Sequence, residues 1–197
     1  MRLSFVLTSV AVVALVACRS EPKPPDVNQL LSDLRNADRV KSGQARLQLI
    51  TLGEPAVPAL SELLRSGTPA ERIAAANTLW GMGVRASAAV PDLSAALGGS
   101  DPALRVAASM ALENMGPAAE QAVPALVRAL SDRERPVRQA AVKALGAIGP
   151  AAEQAVPALS RALRRGPWPE AEEAVRRIRG LQPGAPVEVG GEEADRP

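Results

Sequence analysis

The sequence predicts an all-α protein built as an α-solenoid, a row of stacked helix pairs. Three observations predict it. The phrase "AVPAL" occupies residues 56–60, 122–126 and 155–159, with "AVPDL" at 89–93, so Pro58, Pro91, Pro124 and Pro157 stand 33 residues apart. Between these phrases, apolar residues recur at helical spacing in the same columns of each unit. The apolar 47% of the chain is nearly all Ala, Leu and Val, with no Tyr, a single Phe (Phe5) and two Trp (Trp80 and Trp168). A short helical unit repeated at a fixed period cannot bury its apolar face alone, and stacking on its neighbours solves this for every unit alike.

The first helix of each unit is read from its apolar face. Val137, Ala141, Leu145 and Ile148 fall at i, i+4, i+8 and i+11, one side of a helix. One period earlier the columns hold Leu104, Ala108, Leu112 and Met115, and earlier still Glu71, Ala75, Leu79 and Met82. Gly83, Gly116 and Gly149 follow these helices and suit a left-handed C′ position. "GMG" at 81–83 therefore reads as a helix cap rather than a phosphate-cradling loop, since no strand pattern precedes it. Thr68, Asp101 and Glu134 share the N-cap column, with Pro69 and Pro102 at the first helical position after the first two. Four residues on stand Arg72, Arg105 and Arg138. An acid and an arginine at this spacing can pair along a helix. As a column, the arginines read as a structural ladder, each reaching an acid or carbonyl of the adjoining unit.

The second helix opens on the recurrent phrase. Proline lacks the N–H that a helix's first turn leaves unpaired anyway, so it marks the start. Val123, Leu126, Ala129 and Leu130 make one face, repeated by Val57, Leu60, Leu63 and Leu64, while Pro124 and Arg128 lie opposite, toward solvent. The first full unit has the link "GEPAVPAL", three residues shorter than "GPAAEQAVPAL", which makes its period 30. On that offset Val27 to Asn36 reads as a half-repeat. "WPEAEEAVRRIRG", 168–180, reads as a closing helix. Residues 27–180 thus hold a half-repeat, four helix pairs and the closing helix. The Gly-, Pro- and acid-rich stretch 181–197 reads as a disordered tail.

The first residues carry a different signal. The apolar run from Leu3 to Ala17 falls short of the roughly 20 residues that span a bilayer and has the length of a signal-peptide core. It ends at "LVAC", Leu15 to Cys18, which resembles the lipobox of bacterial lipoproteins. The resemblance implies a signal peptide over 1–17 and a mature N-terminus at Cys18 carrying lipid. It also implies export, and, because Arg19 rather than Asp follows the Cys, the periplasmic side of the outer membrane. Residues 18–26, with "RSEPKPPD" after the Cys, then form the linker from anchor to array, too rich in charge and proline for a helix.

The repeat itself has a relative. "VRQAAVKALGAIGPAAEQAVPALSRAL", 137–163, resembles a HEAT-like repeat of the short type related to phycobilisome-lyase repeats, and the match recurs across 38–165. The resemblance implies that the second helices line a concave face. It also raises, by analogy, a bilin-lyase-like enzyme or enzyme accessory.

Composition narrows the function. Without His, the usual general base and the commonest metal ligand are missing. One Cys forms neither an internal disulfide nor a thiolate cluster. No cofactor and no metal are expected, and no catalytic residue is assigned. Charge is uneven. Residues 27–124 carry 8 basic and 9 acidic side chains, residues 125–180 carry 11 and 6, and the tail sets Arg196 against four acids. On the second helices one exposed column runs Glu62, Ala95, Arg128, Arg161 and its neighbour Arg65, Gly98, Ser131, Arg164. Arg128, Arg161, Arg164 and the adjacent Arg165 are therefore the candidate partner-binding residues, suited to an acidic protein or peptide. Nucleic acid is excluded as partner by the small overall charge and the scarcity of aromatics. The expectation is a membrane-anchored, non-enzymatic scaffold for protein–protein interaction. The alternatives are the lyase-like reading and a structural lipoprotein without a specific ligand.

Overall fold

The computed structural model describes residues 26–36 and 38–187. The expected signal peptide, Cys18, the linker up to Pro25 and residues 188–197 lie outside the described residues. Ten α-helices are described: α1 (Val27–Leu34), α2 (Arg39–Leu52), α3 (Val57–Ser66), α4 (Pro69–Met82), α5 (Val90–Ala96), α6 (Pro102–Met115), α7 (Val123–Ala129), α8 (Arg135–Ile148), α9 (Val156–Arg164) and α10 (Pro169–Arg179). No strand occurs among the described residues. The protein is an α-solenoid. The even-numbered helices stack in order, α2 on α4, α6, α8 and α10, and form one layer. The odd-numbered, shorter helices form the other, each packed against the helix that follows it.

Small side chains set the spacing of the even layer. Ala75, Ala76, Ala107, Ala108, Ala111, Ala140, Ala141 and Ala144 are all buried along it. At Gly146 an added Cβ would lie 3.2 Å from both Cα and Cβ of Ala174, so α8 and α10 meet nearly backbone to backbone. Axis separation follows side-chain size, and an alanine seam brings helices together. Leucines from both layers fill the space between them: Leu60, Leu79, Leu93, Leu112, Leu126, Leu145 and Leu159 are without exposed surface. The faces read from periodicity are the buried ones.

The links are more structured than the sequence indicates. "GPAAEQA" and its equivalents, Gly83–Ala89, Gly116–Ala122 and Gly149–Ala155, each fold as two short 3-10 turns meeting at a kink, at Ala86, Ala119 and Ala152. The first link is the three-residue turn Glu54–Ala56, which accounts for its shorter period. Ala86, Ala119 and Ala152 point into the core with no exposed surface, so each link seals the end of the interlayer space.

Two local expectations are corrected. Gly83, Gly116 and Gly149 have positive φ (57°, 58°, 71°), but ψ near −135° places them outside the left-handed helical region, in a conformation open chiefly to glycine. The chain therefore leaves each helix sharply and turns straight into the 3-10 link. Among the described residues only Gly180 caps a helix in the left-handed form, at φ 64°, ψ 28°. Among the N-caps, Thr68 closes a capping box with Glu71, and Asp101 accepts from the N–H of Ala103. Glu134 does not cap with its side chain; its own N–H donates to Asp132 Oδ1 at 2.9 Å.

The half-repeat α1 packs against α2 and α3, and α10 closes the stack on α8 and α9. The stretch after Gly180 departs from the disorder expected of it over its first seven residues. The N–H of Leu181 donates to the carbonyl of Arg176, Arg176 Nε donates to the carbonyl of Ala185 at 2.8 Å, and Val187 packs partly buried on the core. Backbone hydrogen bonds and one apolar contact hold this segment where its composition alone does not.

Candidate interaction surface

The arginines decide what the surface can do, and the fold treats them in two ways. In the even layer Arg72, Arg105 and Arg138 all reach the preceding or following unit, as the ladder reading expects. Arg72 Nε donates to the carbonyl of Leu64 at 2.8 Å. Arg105 is buried; its Nη1 donates to the carbonyls of Gly99 and Ser100, at 2.9 and 3.1 Å. Its Nε and Nη2 grip both oxygens of Asp132, 27 residues on, at 2.8 and 2.9 Å. Arg138 Nη1 donates to the carbonyls of Asp132 and Arg133, at 2.7 and 3.0 Å. The pairing of each arginine with the acid four residues before it does not form, because Asp101 turns to its own helix end. Hydrogen bonds from Arg105, with its charge close by, hold the Asp132 carboxyl below the usual carboxylate range, against the cost of its burial.

On the odd layer, the N-terminal half neutralises its cations. Arg65 Nη1 binds both oxygens of Asp92 at 2.9 Å and its Nη2 binds Glu62 at 2.7 Å. The Arg65 guanidinium lowers the Glu62 pKa by hydrogen bonding, and the two acids raise that of Arg65. The C-terminal half has no such acids. Arg128, Arg161, Arg164 and Arg165 are exposed, and among the described residues none of them donates to a protein acceptor.

Two of the four line clefts, and the clefts are different ones. Arg128 lines a cleft of about 600 Å³ between the ends of α5 and α7, with Leu97, Gly98, Arg105, Ala129 and Asp132. Arg165 lines the equivalent cleft one unit further, about 500 Å³, with Ser131, Asp132, Arg135, Arg138, Ala162 and Trp168. Arg161 and Arg164 lie on α9 and line neither. Arg133, Arg135 and Arg138 border these clefts and are not among the partner-binding candidates read from the sequence, where Arg138 stands only in the ladder column. Their signal is the register: Arg138 follows Arg105 by one period, and both clefts sit where a second helix ends.

Other candidates are sparse. Among the described residues no three His, Cys, Asp or Glu side chains stand together as metal ligands, and no helix is long and apolar enough to cross a membrane.

The fold and its repeated interlayer core define a class of protein, the α-solenoids of two-helix repeats. Residues 90–178 match the family model of HEAT repeats. Solved structures with the same fold include the complex of CpcE and CpcF of phycocyanin lyase from Nostoc sp. PCC7120, with a TM-score of 0.61 and 20% identity over 78% of this chain and 97% of that one. An engineered protein aligns with a TM-score of 0.58 and 22% identity, covering 78% of this chain and 79% of its own. A designed armadillo repeat protein in complex with the peptide (KR)4 aligns with a TM-score of 0.55 and 18% identity, over 77% of this chain and 80% of that one. At these identities the likeness is one of fold. A comparison with curated proteins gives no match.

Proposed function

We propose that the protein is an interaction scaffold, held at a membrane by a lipid on Cys18, whose arginine-rich C-terminal half binds an acidic protein segment. The observation that carries the reading is the set of exposed arginines, Arg128, Arg161, Arg164 and Arg165, without an acceptor among the described residues. Arg65, on the same layer, is saturated by Glu62 and Asp92. Arginine's planar fork suits carboxylates held bidentately. One solved solenoid of this fold holds the basic peptide (KR)4; here the surface is cationic, and charge complementarity selects an acidic partner. Catalysis has little support, because the absence of His removes the usual general base.

The test is selection from a displayed random-peptide library on the full chain. Acidic peptides are expected to be enriched, and the variant R128E/R161E/R164E is expected to lose that enrichment. Equal enrichment by parent and variant, or no preference for acidic sequences, removes the reading.

The anchor rests on "LVAC" and the apolar run before it. Several acyl chains anchor a protein stably where one does not. Cys18→Ala should move the protein from the membrane fraction to the soluble one, or leave the leader uncut. Unchanged mobility on a gel together with unchanged membrane retention would show that Cys18 is not the attachment point.

A further inference from the structure

Arg105 and Arg138 occupy the same place in successive units, and the backbone holds them in the same way. Nη1 of Arg105 donates to the carbonyls six and five residues before it, Gly99 and Ser100. Nη1 of Arg138 donates to the carbonyls six and five residues before it, Asp132 and Arg133. With Nη1 clamped in this way, Nε and Nη2 of each guanidinium are left for a further partner. In Arg105 that edge meets the carboxylate of Asp132, 27 residues on. The residue 27 beyond Arg138 is Arg165. Where the first arginine finds an acid, the second shares the lining of a cleft of about 500 Å³ with another cation. Among the described residues Nε and Nη2 of Arg138 have no acceptor. The cleft's one carboxylate, Asp132, is already occupied by Arg105 and by the N–H of Glu134. Arg135 adds a third cation to the wall, and the half-buried Trp168 closes one end.

We infer that Arg138 and Arg165 form a binding site for a carboxylate, an Asp or Glu side chain of an acidic segment, seated as Asp132 is seated on Arg105. The inference rests on the scaffold reading and adds to its exposed arginines one pre-clamped contact for a carboxylate, in this cleft. The ladder is interrupted where the arginine is already clamped and its bidentate edge is unoccupied. A carboxylate supplied from outside continues the ladder by one step. The orienting bonds are made beforehand, so binding requires little further ordering of Arg138. The carboxylate has two sources, a partner chain or the acids Glu188, Glu192, Glu193 and Asp195 of this chain.

The probe is a tetraglutamate peptide titrated into the full chain carrying W80F, so that Trp168 is the only tryptophan and reports from the cleft wall. Arg138 Nε–H is followed by side-chain nitrogen NMR. Binding is expected to perturb both signals and to weaken as salt is raised. R165D is the deciding variant, because it rebuilds the Arg105–Asp132 pair one unit on. It should fill the fork from within, raise the urea midpoint and weaken tetraglutamate by at least about tenfold. K143D makes a like change of charge on an exposed residue of α8, off the cleft and outside the proposed contact set, and should bind within about threefold of the parent. If K143D weakens the probe as much as R165D, attraction is general and no fork exists. An Arg138 Nε–H signal that does not move at saturation overturns the site equally. The chain ending at Val187 separates the sources: tighter binding than in full length assigns the carboxylate to the chain's own acids, and unchanged binding assigns it to a partner. The peptide selection varies Arg128, Arg161 and Arg164 instead, so loss of the fork leaves the scaffold reading standing, and failure of that selection leaves the fork measurable.

Discussion

Leu112→Ala will lower the stability of the array by about 2–5 kcal/mol, the range for truncating a buried leucine. Leu112 lies in the middle of α6, with no exposed surface, between the even-layer helices α4 and α8 and the short helix α5. Its neighbours in the seam are alanines, Ala108 and Ala111, already at the smallest useful size. Their side chains are too short to fill the space left. The cost should therefore fall in the upper part of the range. Because each unit is stabilised through its neighbours, a defect in a central unit acts on both halves. Urea unfolding followed by circular dichroism measures it. Arg128→Ala is the control: an exposed side chain without an acceptor among the described residues should change stability by no more than about 0.5 kcal/mol. Coincident midpoints for the two variants would reverse the helix faces described above.

Asp132→Ala will be the second large effect, about 3 kcal/mol, at the low end for breaking a buried ion pair by removing one partner. The Arg105 and Asp132 side chains are only 6% and 13% exposed, so the arginine left behind is poorly solvated. It keeps its two carbonyl acceptors, which limits the loss. Asp132 also accepts the N–H of Glu134, the N-cap residue of α8, so the variant loosens the start of that helix as well. The effect depends on pH with a definite sign. The folded-state pKa of Asp132 is lowered, chiefly by hydrogen bonding to Arg105. Its contribution is therefore complete above the unfolded-state value of about 3.9 and is lost as pH falls through the lower folded-state value. The stability gap between wild type and Asp132→Asn should be constant from about pH 7 to 5 and narrow only in more acid solution. A gap that already shrinks near neutral pH would mean that the carboxylate is not held by Arg105.

The sequence by itself determined the helices, their buried faces and their order. Val137, Ala141, Leu145 and Ile148, with the proline of each "AVPAL", encode a face and a start through local sterics and a 3.6-residue period, which act within one turn or two. The four helix pairs, the half-repeat α1 and the closing helix α10 follow from the same local rules. The 3-10 links were not legible, because "GPAAEQA" owes its conformation to the burial of Ala119 and Ala152 beneath neighbouring helices, not to any period of its own. The ordered stretch after Gly180 depends likewise on Arg176 reaching the carbonyl of Ala185 across a turn. Beyond the ladder that the column of Arg72, Arg105 and Arg138 indicates, the partner of each arginine belonged to the tertiary structure. Arg65 and Arg128 both read as exposed cations on second helices, yet Asp92 comes to one and no acid comes to the other among the described residues. Arg105 and Arg138 share a column, yet residue 132 is an acid and residue 165 a base. Which side chain stands 27 residues away in sequence and a hydrogen bond away in space is set by how far each unit advances and turns on the last. That advance comes from the packing of alanine seams between whole helices, a property no single stretch of the chain carries.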